Sequence, residues 1–171
     1  MNEYLKGKRI YLSGAIEASV DDLWREVPKE TLKERFGLEI FDPFSDPKQQ
    51  WTQPLIQARA EKDYQTMIRI AKAFVRKDLC LVDRSDFLIC YLPYKIPTTG
   101  SIHEIVVSNN AKKPTLIVCP QGKEYAPFWL WGFIPEECIF GSWEELYEYL
   151  EAVNKGEHRD NNRWSYIYGD I

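Results

Sequence analysis

Four short apolar runs constrain this chain more than any other feature. They are Arg9–Ser13 (RIYLS), Leu38–Phe41 (LEIF), Phe87–Leu92 (FLICYL) and Thr115–Cys119 (TLIVC). Gly14, Asp42-Pro43 and Pro93 close the first three, and Pro114 opens the fourth. A strand with one wet face alternates polar and apolar residues, and these runs do not. Continuous apolar strands belong to sheets covered on both faces, which means parallel sheets. Glu137–Phe140 is expected to add a last short strand.

The stretches between the runs carry helical spacing. Ser19 with Asp21 and Asp22 makes a capped, acidic helix start. The pattern continues through Leu23, Trp24, Val27, Leu32 and Phe36, with Pro28 kinking or splitting the helix and Gly37 stopping it. A polar loop with Pro47 and Pro54 should follow the second strand, and then one helix from about Leu55 to Leu79. Met67, Ile68, Ala71, Phe74, Val75 and Leu79 give that helix its apolar stripe. Another helix is expected over Ser101–Asn110. A last one opens on the capping box Ser142/Glu145 and runs to about Val153. Strands alternating with helices imply an α/β fold, a parallel sheet with helices on both faces. The 171 residues read as one domain, with residues 154–171 as a polar and then aromatic tail.

Composition narrows the partners. The net charge is −4 and no Lys/Arg-rich run offers a footprint for a phosphate backbone, which disfavours polymeric DNA or RNA. Cys80, Cys90, Cys119 and Cys138 form no C-x-x-C pair, and His103 and His158 stand alone. The cysteines read as reduced, mostly buried thiols, and the pattern calls for no metal and no cofactor. No apolar run has the length of a membrane span or a secretory h-region, so the chain reads as cytoplasmic. Aromatic residues reach 14%, and the ring-rich loop Phe128–Phe133 and the aromatic tail point to a homo-oligomer.

In a doubly wound sheet, ligands bind beyond the C-terminal strand ends. The loops Gly14–Ser19, Asp42–Asp46 and Pro93–Glu104 should therefore converge on one cleft. Thr98-Thr99-Gly100-Ser101-Ile102-His103-Glu104 carries the most information. Gly100 lets a ligand approach the backbone at a helix start, and Glu104 follows one turn later, near the positive end. Such a carboxylate can attack an anomeric carbon, as in retaining glycoside chemistry. An ordinary first-turn Glu is the other reading. Tyr11-Leu12-Ser13-Gly14-Ala15 gives a small-residue turn where Ser13 and Gly14 can hold a ligand and Tyr11 can orient a carboxylate. Tyr11 also reads as a core ring. Asp78 sits on a helix, facing either inward as a proton donor or outward to solvent. Asp86 immediately precedes the third strand and reads as an N-terminal strand or turn residue.

IYLSGAI, FDPF, KDLCLVDRSDFLICYL, TTGSIHE and KKPTLIVCP, in that order over roughly residues 9–120, resemble the nucleoside 2-deoxyribosyltransferase family and its hydrolase relatives. Trp164, Tyr166 and Tyr168 near the end also look like that family, in which a neighbouring subunit's tail helps to close the site. The resemblance implies a flavodoxin-like sheet of about five strands and a retaining mechanism in nucleotide salvage. Glu104 then matches the nucleophile that takes C1′ of the sugar, Tyr11 the residue that orients it, and Asp78 an acid for base binding and proton delivery. Asp42 and Phe44 fall on the base-contacting loop. The partners implied are a nucleoside or nucleotide and a free nucleobase. Thr98 stands where transferases of the family commonly carry an aspartate for the 5′-hydroxyl. With Ser101 it opens a second reading, a 5′-monophosphate N-glycosidase, although Glu17 would repel a phosphate. A catalytically silent nucleotide sensor is the third.

Overall fold

A computed structural model of the chain describes residues 3–15, 22–45, 49–96 and 99–169. Five strands form one sheet: β1 (Arg9–Gly14), β2 (Glu39–Phe41), β3 (Phe87–Tyr91), β4 (Thr115–Val118) and β5 (Ile139–Phe140). Their order is β2-β1-β3-β4-β5 and every pairing is parallel. That is the flavodoxin-like doubly wound order, with its switch point between β1 and β3. The fifth strand is shorter than expected, because Glu136–Cys138 form a 3-10 turn instead.

The apolar runs lie where their composition demands. Ile10, Tyr11, Leu12, Leu88, Ile89, Leu116 and Ile117 are buried without remainder. On one face lie α1 (Glu26–Phe36) and α5 (Trp143–Lys155), which touch each other. α3 (Tyr64–Arg84) and α4 (Thr99–Asn110) touch each other and β1 on the opposite side. α2 (Gln49–Glu61) packs on α3. Among the described residues, no helix is long and apolar enough to cross a membrane.

Several helix ends follow their sequence signals. Pro28 does split its helix: a 3-10 turn, Asp22–Arg25, precedes α1, and the proline sits in the first turn of α1, where its missing N–H is tolerated. Gly37 caps α1 in the left-handed region at φ 65°. Ser142 Oγ accepts from the Glu145 N–H at 3.2 Å, and the Glu145 carboxylate reaches back to the Gly141 N–H at 2.7 Å. The expected helix start at Ser19 lies outside the described residues.

Two expectations need correction. The single helix from Leu55 to Leu79 is two helices, α2 and α3. Lys62 turns left-handed at φ 57°, and the Asp63 carboxylate accepts from the Thr66 N–H at 3.1 Å, capping α3. Pro54 lies inside α2 rather than in a loop. The apolar stripe of α3 hid this break, because a local cap interrupts the backbone without interrupting the pattern.

Two clamps hold the sheet at the N-terminal ends of its strands. The Asp86 carboxylate accepts from the Arg9 N–H at 2.6 Å, and the Asp86 N–H donates to the Arg9 carbonyl at 2.6 Å. Asp86 is thus a turn residue with a structural task. The tail folds back to the same end: Trp164 is buried against Phe87 and donates to the Tyr149 hydroxyl at 3.0 Å, and Tyr168 packs edge-on against Tyr4. These rings are taken up within their own chain, at the sheet end away from Glu104.

Candidate active site

β1 places Tyr11 and Ser13 two residues apart, hence on one face of the strand. α4 runs across that face and presents Glu104. The Tyr11 hydroxyl donates to Glu104 Oε1 at 2.8 Å, and the Ser13 hydroxyl donates to Oε2 at 2.5 Å. Glu104 is only 9% exposed. A buried carboxylate survives only if hydrogen-bonded, and bonds to an ionised acceptor contribute about 1.5–3 kcal/mol each. The helix dipole adds about 0.3–1 kcal/mol and fades beyond the first turn. Glu104 is the sixth residue of α4, in its second turn, so the two hydroxyls outweigh the dipole.

The surroundings keep those donors neutral. Burial first, and then the adjacent Glu104 charge, push the Tyr11 hydroxyl far above the usual phenol range. Cys90 lies beside Ser13 across the β1–β3 ladder, and burial pushes its thiol up to about 12. Tyr11 is therefore a ring of the buried core whose hydroxyl holds its proton at any working pH.

Arg25 was not expected from the sequence, and it organises the strand ends. It is 1% exposed. Its guanidinium donates to the Leu12 carbonyl at 2.9 Å, the Gly14 carbonyl at 3.1 Å and Asp42 Oδ1 at 3.0 Å. Lys29 reaches Asp42 Oδ2 at 3.1 Å. Burial lowers the Arg25 pKa from its usual range, and Asp42 opposes that shift. Asp42, expected on a base-contacting loop, is thus engaged by two cations. Arg25 gave no sequence signal because its partners come from β1 and from the end of β2.

The other expected residues divide. Gly14 makes room for Trp24: an added Cβ would run into the indole and lie 3.1 Å from the Tyr91 carbonyl oxygen. Trp24, Tyr91 and Trp143 stack within 4.4–6.1 Å of one another on the α1/α5 side. Gly100 faces open space, with nothing near an added Cβ, so the chain's own packing does not require glycine there. Ser101 is buried one turn before Glu104. Asp78 is buried on the same face of α3 as Val82, so it faces inward rather than to solvent. Phe44 lies in a 3-10 turn, Pro43–Ser45, its side chain outside the described set; Thr98 is outside the described residues. A hollow of about 350 Å³ between Phe41–Pro43 and Lys77/Leu81 opens at the strand end beside Asp42. A larger groove of about 640 Å³, between the tail and Lys113–Thr115, lies at the far end of the sheet. Among the described residues, no group of three or more His, Cys, Asp or Glu is placed to hold a metal ion.

No protein-family model matches the chain. No curated protein matches it either. Among solved structures, it is similar to the 2-deoxyribosyltransferase of the psychrotolerant bacterium Bacillus psychrosaccharolyticus, at 16% identity and a TM-score of 0.55. The match covers 81% of this chain and 89% of that one. At that identity the shared property is the fold, a flavodoxin-like parallel sheet.

Proposed function

We propose that the protein is a nucleoside 2-deoxyribosyltransferase that works through a glycosyl ester on Glu104. The observation that carries this reading is the buried Glu104 carboxylate, bound at both oxygens by neutral hydroxyls. A carboxylate held at both oxygens and shielded from water is oriented for attack on an anomeric carbon.

In the first step a Glu104 oxygen forms a bond to C1′ of the sugar. The C1′–N bond breaks and its electron pair stays on the base nitrogen. Inward-facing Asp78 supplies a proton to the departing base. In the second step a nitrogen of the incoming base bonds to C1′ and loses its proton to Asp78. Glu104 leaves as a carboxylate, so atoms and charge balance over the cycle. Gly100 and Ser101 stand in the first turn of α4, toward the sugar, and Asp42 borders the base side; Thr98, before α4 in sequence, and Phe44, two residues after Asp42, belong to the same proposal by their sequence positions. The buried cation beside this site, Arg25, is committed to Asp42 and two carbonyls. That favours a free 5′-hydroxyl over a 5′-phosphate.

Incubation with a deoxynucleoside and a second free base should yield the exchanged nucleoside. Accumulation of free deoxyribose without exchange would replace this reading with hydrolysis. A 5′-monophosphate cleaved faster than its nucleoside would replace it with the N-glycosidase. No turnover at all would favour a sensor.

Self-association belongs to the same proposal. Phe128 and Trp129 are 93% and 81% exposed, a surface that a second copy would cover. Light scattering at micromolar concentration should give at least a dimer, and a monomer would refute it.

A further inference from the structure

Ser13 is expected, from its place in a small-residue turn, to bind a ligand. Its geometry points to another task. It is fully buried, and its hydroxyl hydrogen is directed at Glu104 Oε2. The last torsion of a glutamate side chain is soft and roughly two-fold. One hydrogen bond, from Tyr11 to Oε1, leaves the carboxylate free to swing about that contact. A second bond, to the other oxygen, fixes its plane.

We propose that Ser13 is a positioning residue: with Tyr11 it grips Glu104 by both oxygens and sets the plane of the attacking carboxylate, and it does not contact substrate. This rests on the reading of Glu104 as nucleophile. The same two bonds act in both half-reactions. They hold the anion in place before attack, and they stabilise it again when it leaves the sugar.

Among the described residues, Tyr11 on β1, Cys90 on β3 and Arg25, which pairs with Asp42, lie in electrostatic reach of Glu104. Asp78 is the buried acid on α3, the helix packed against α4. Tyr11 and Cys90 are held neutral. Removing the Ser13 donor therefore leaves these charges in place and withdraws one stabilising bond from the Glu104 anion.

The test is a titration of the protein labelled at the glutamate side-chain carboxyl carbons with ¹³C, the Glu104 resonance being the one absent from Glu104→Gln. In Ser13→Ala the Glu104 midpoint should rise by about one pH unit, because a donor to the charged form has gone. Ser13→Thr, which keeps the hydroxyl, should restore it, and Ser13→Gly should behave like Ser13→Ala. In the exchange assay, kcat of Ser13→Ala should fall about tenfold or more with KM nearly unchanged. An unshifted Glu104 midpoint in both Ser13→Ala and Ser13→Gly would overturn the proposal. So would a raised KM at unchanged kcat, which would make Ser13 a substrate contact. If the wild type turns nothing over, the transferase reading fails, and the titration alone still decides the role of Ser13.

Discussion

Replacing Glu104 with glutamine should reduce sugar transfer by about 10⁴-fold or more, the scale on which removing a covalent nucleophile acts. The loss should be specific to chemistry. Glutamine has nearly the volume of glutamate and keeps a carbonyl oxygen for one of the two hydroxyls. The serine hydroxyl can rotate to accept from the amide, so the contact with β1 survives in altered form. Thermal unfolding should move by only a few degrees, and nucleoside binding should persist. A mechanism-based probe separates this from a general base role. A deoxynucleoside carrying fluorine at C2′ slows both steps by destabilising positive charge at C1′. The wild type should gain the mass of the fluorosugar, and Glu104→Gln should not. Turnover of Glu104→Gln within tenfold of wild type would remove Glu104 from the nucleophile role.

The second large effect is on stability. Arg25→Ala should cost about 3–5 kcal/mol, the range for breaking a buried ion pair from one side. It would leave the Leu12 and Gly14 carbonyls and one oxygen of Asp42 without the guanidinium they now face. Lys29 still reaches the other Asp42 oxygen, which places the expected cost at the lower end. Against a typical total of about 5–15 kcal/mol, even that is a large share. The two carbonyls flank Ser13, so the loss should also loosen the hydroxyl that faces Glu104. Denaturant unfolding checks the first point. A double variant that removes Arg25 and Asp42 together, both to leucine, should recover part of the loss, because no lone charge is then buried. A cost below about 1 kcal/mol for Arg25→Ala would show that the cluster is not holding the strand ends together.

What was legible in the sequence follows from the range of the forces involved. Three of the runs, those of β1, β3 and β4, announced a parallel sheet because burial on both faces leaves a mark in each strand alone, whereas β2 is an edge strand with Glu39 exposed and Ile40 and Phe41 half-buried. Tyr11 and Glu104 stood out by local position, a strand end and an early helical turn; the resemblance paired them, and a 2.8 Å hydrogen bond joins them. Arg25 was invisible because burying a charge is a collective act. Its partners lie on β1 and at the end of β2, and no window around Trp24-Arg25-Glu26 contains them. The same long-range pairing hid the partners of Asp42, which reads as a loop acid and is engaged by two cations. Gly14 looked like a place for a ligand and makes room for an indole. The break at Lys62-Asp63 escaped for the opposite reason, since one side-chain cap is too local to disturb a helical stripe. Of the tail aromatics, read from the resemblance as closing a neighbouring subunit's site, Trp164 and Tyr168 fill the core beside Phe87 and Tyr4.

The Asp86 clamp has a consequence further along the two central strands. It ties the start of β3 to the start of β1 and so sets which residues stand level along the two strands, Tyr11 with Leu88 and Ser13 with Cys90. Side chains on a strand alternate with a period of two. A slip of one residue would turn Tyr11 and Ser13 to the α1/α5 side and leave Glu104 facing Leu12. The carboxylate at the first residue of the ruler thus decides what is read several residues later, and an acid that touches no reacting atom sets the alignment on which the reacting one depends.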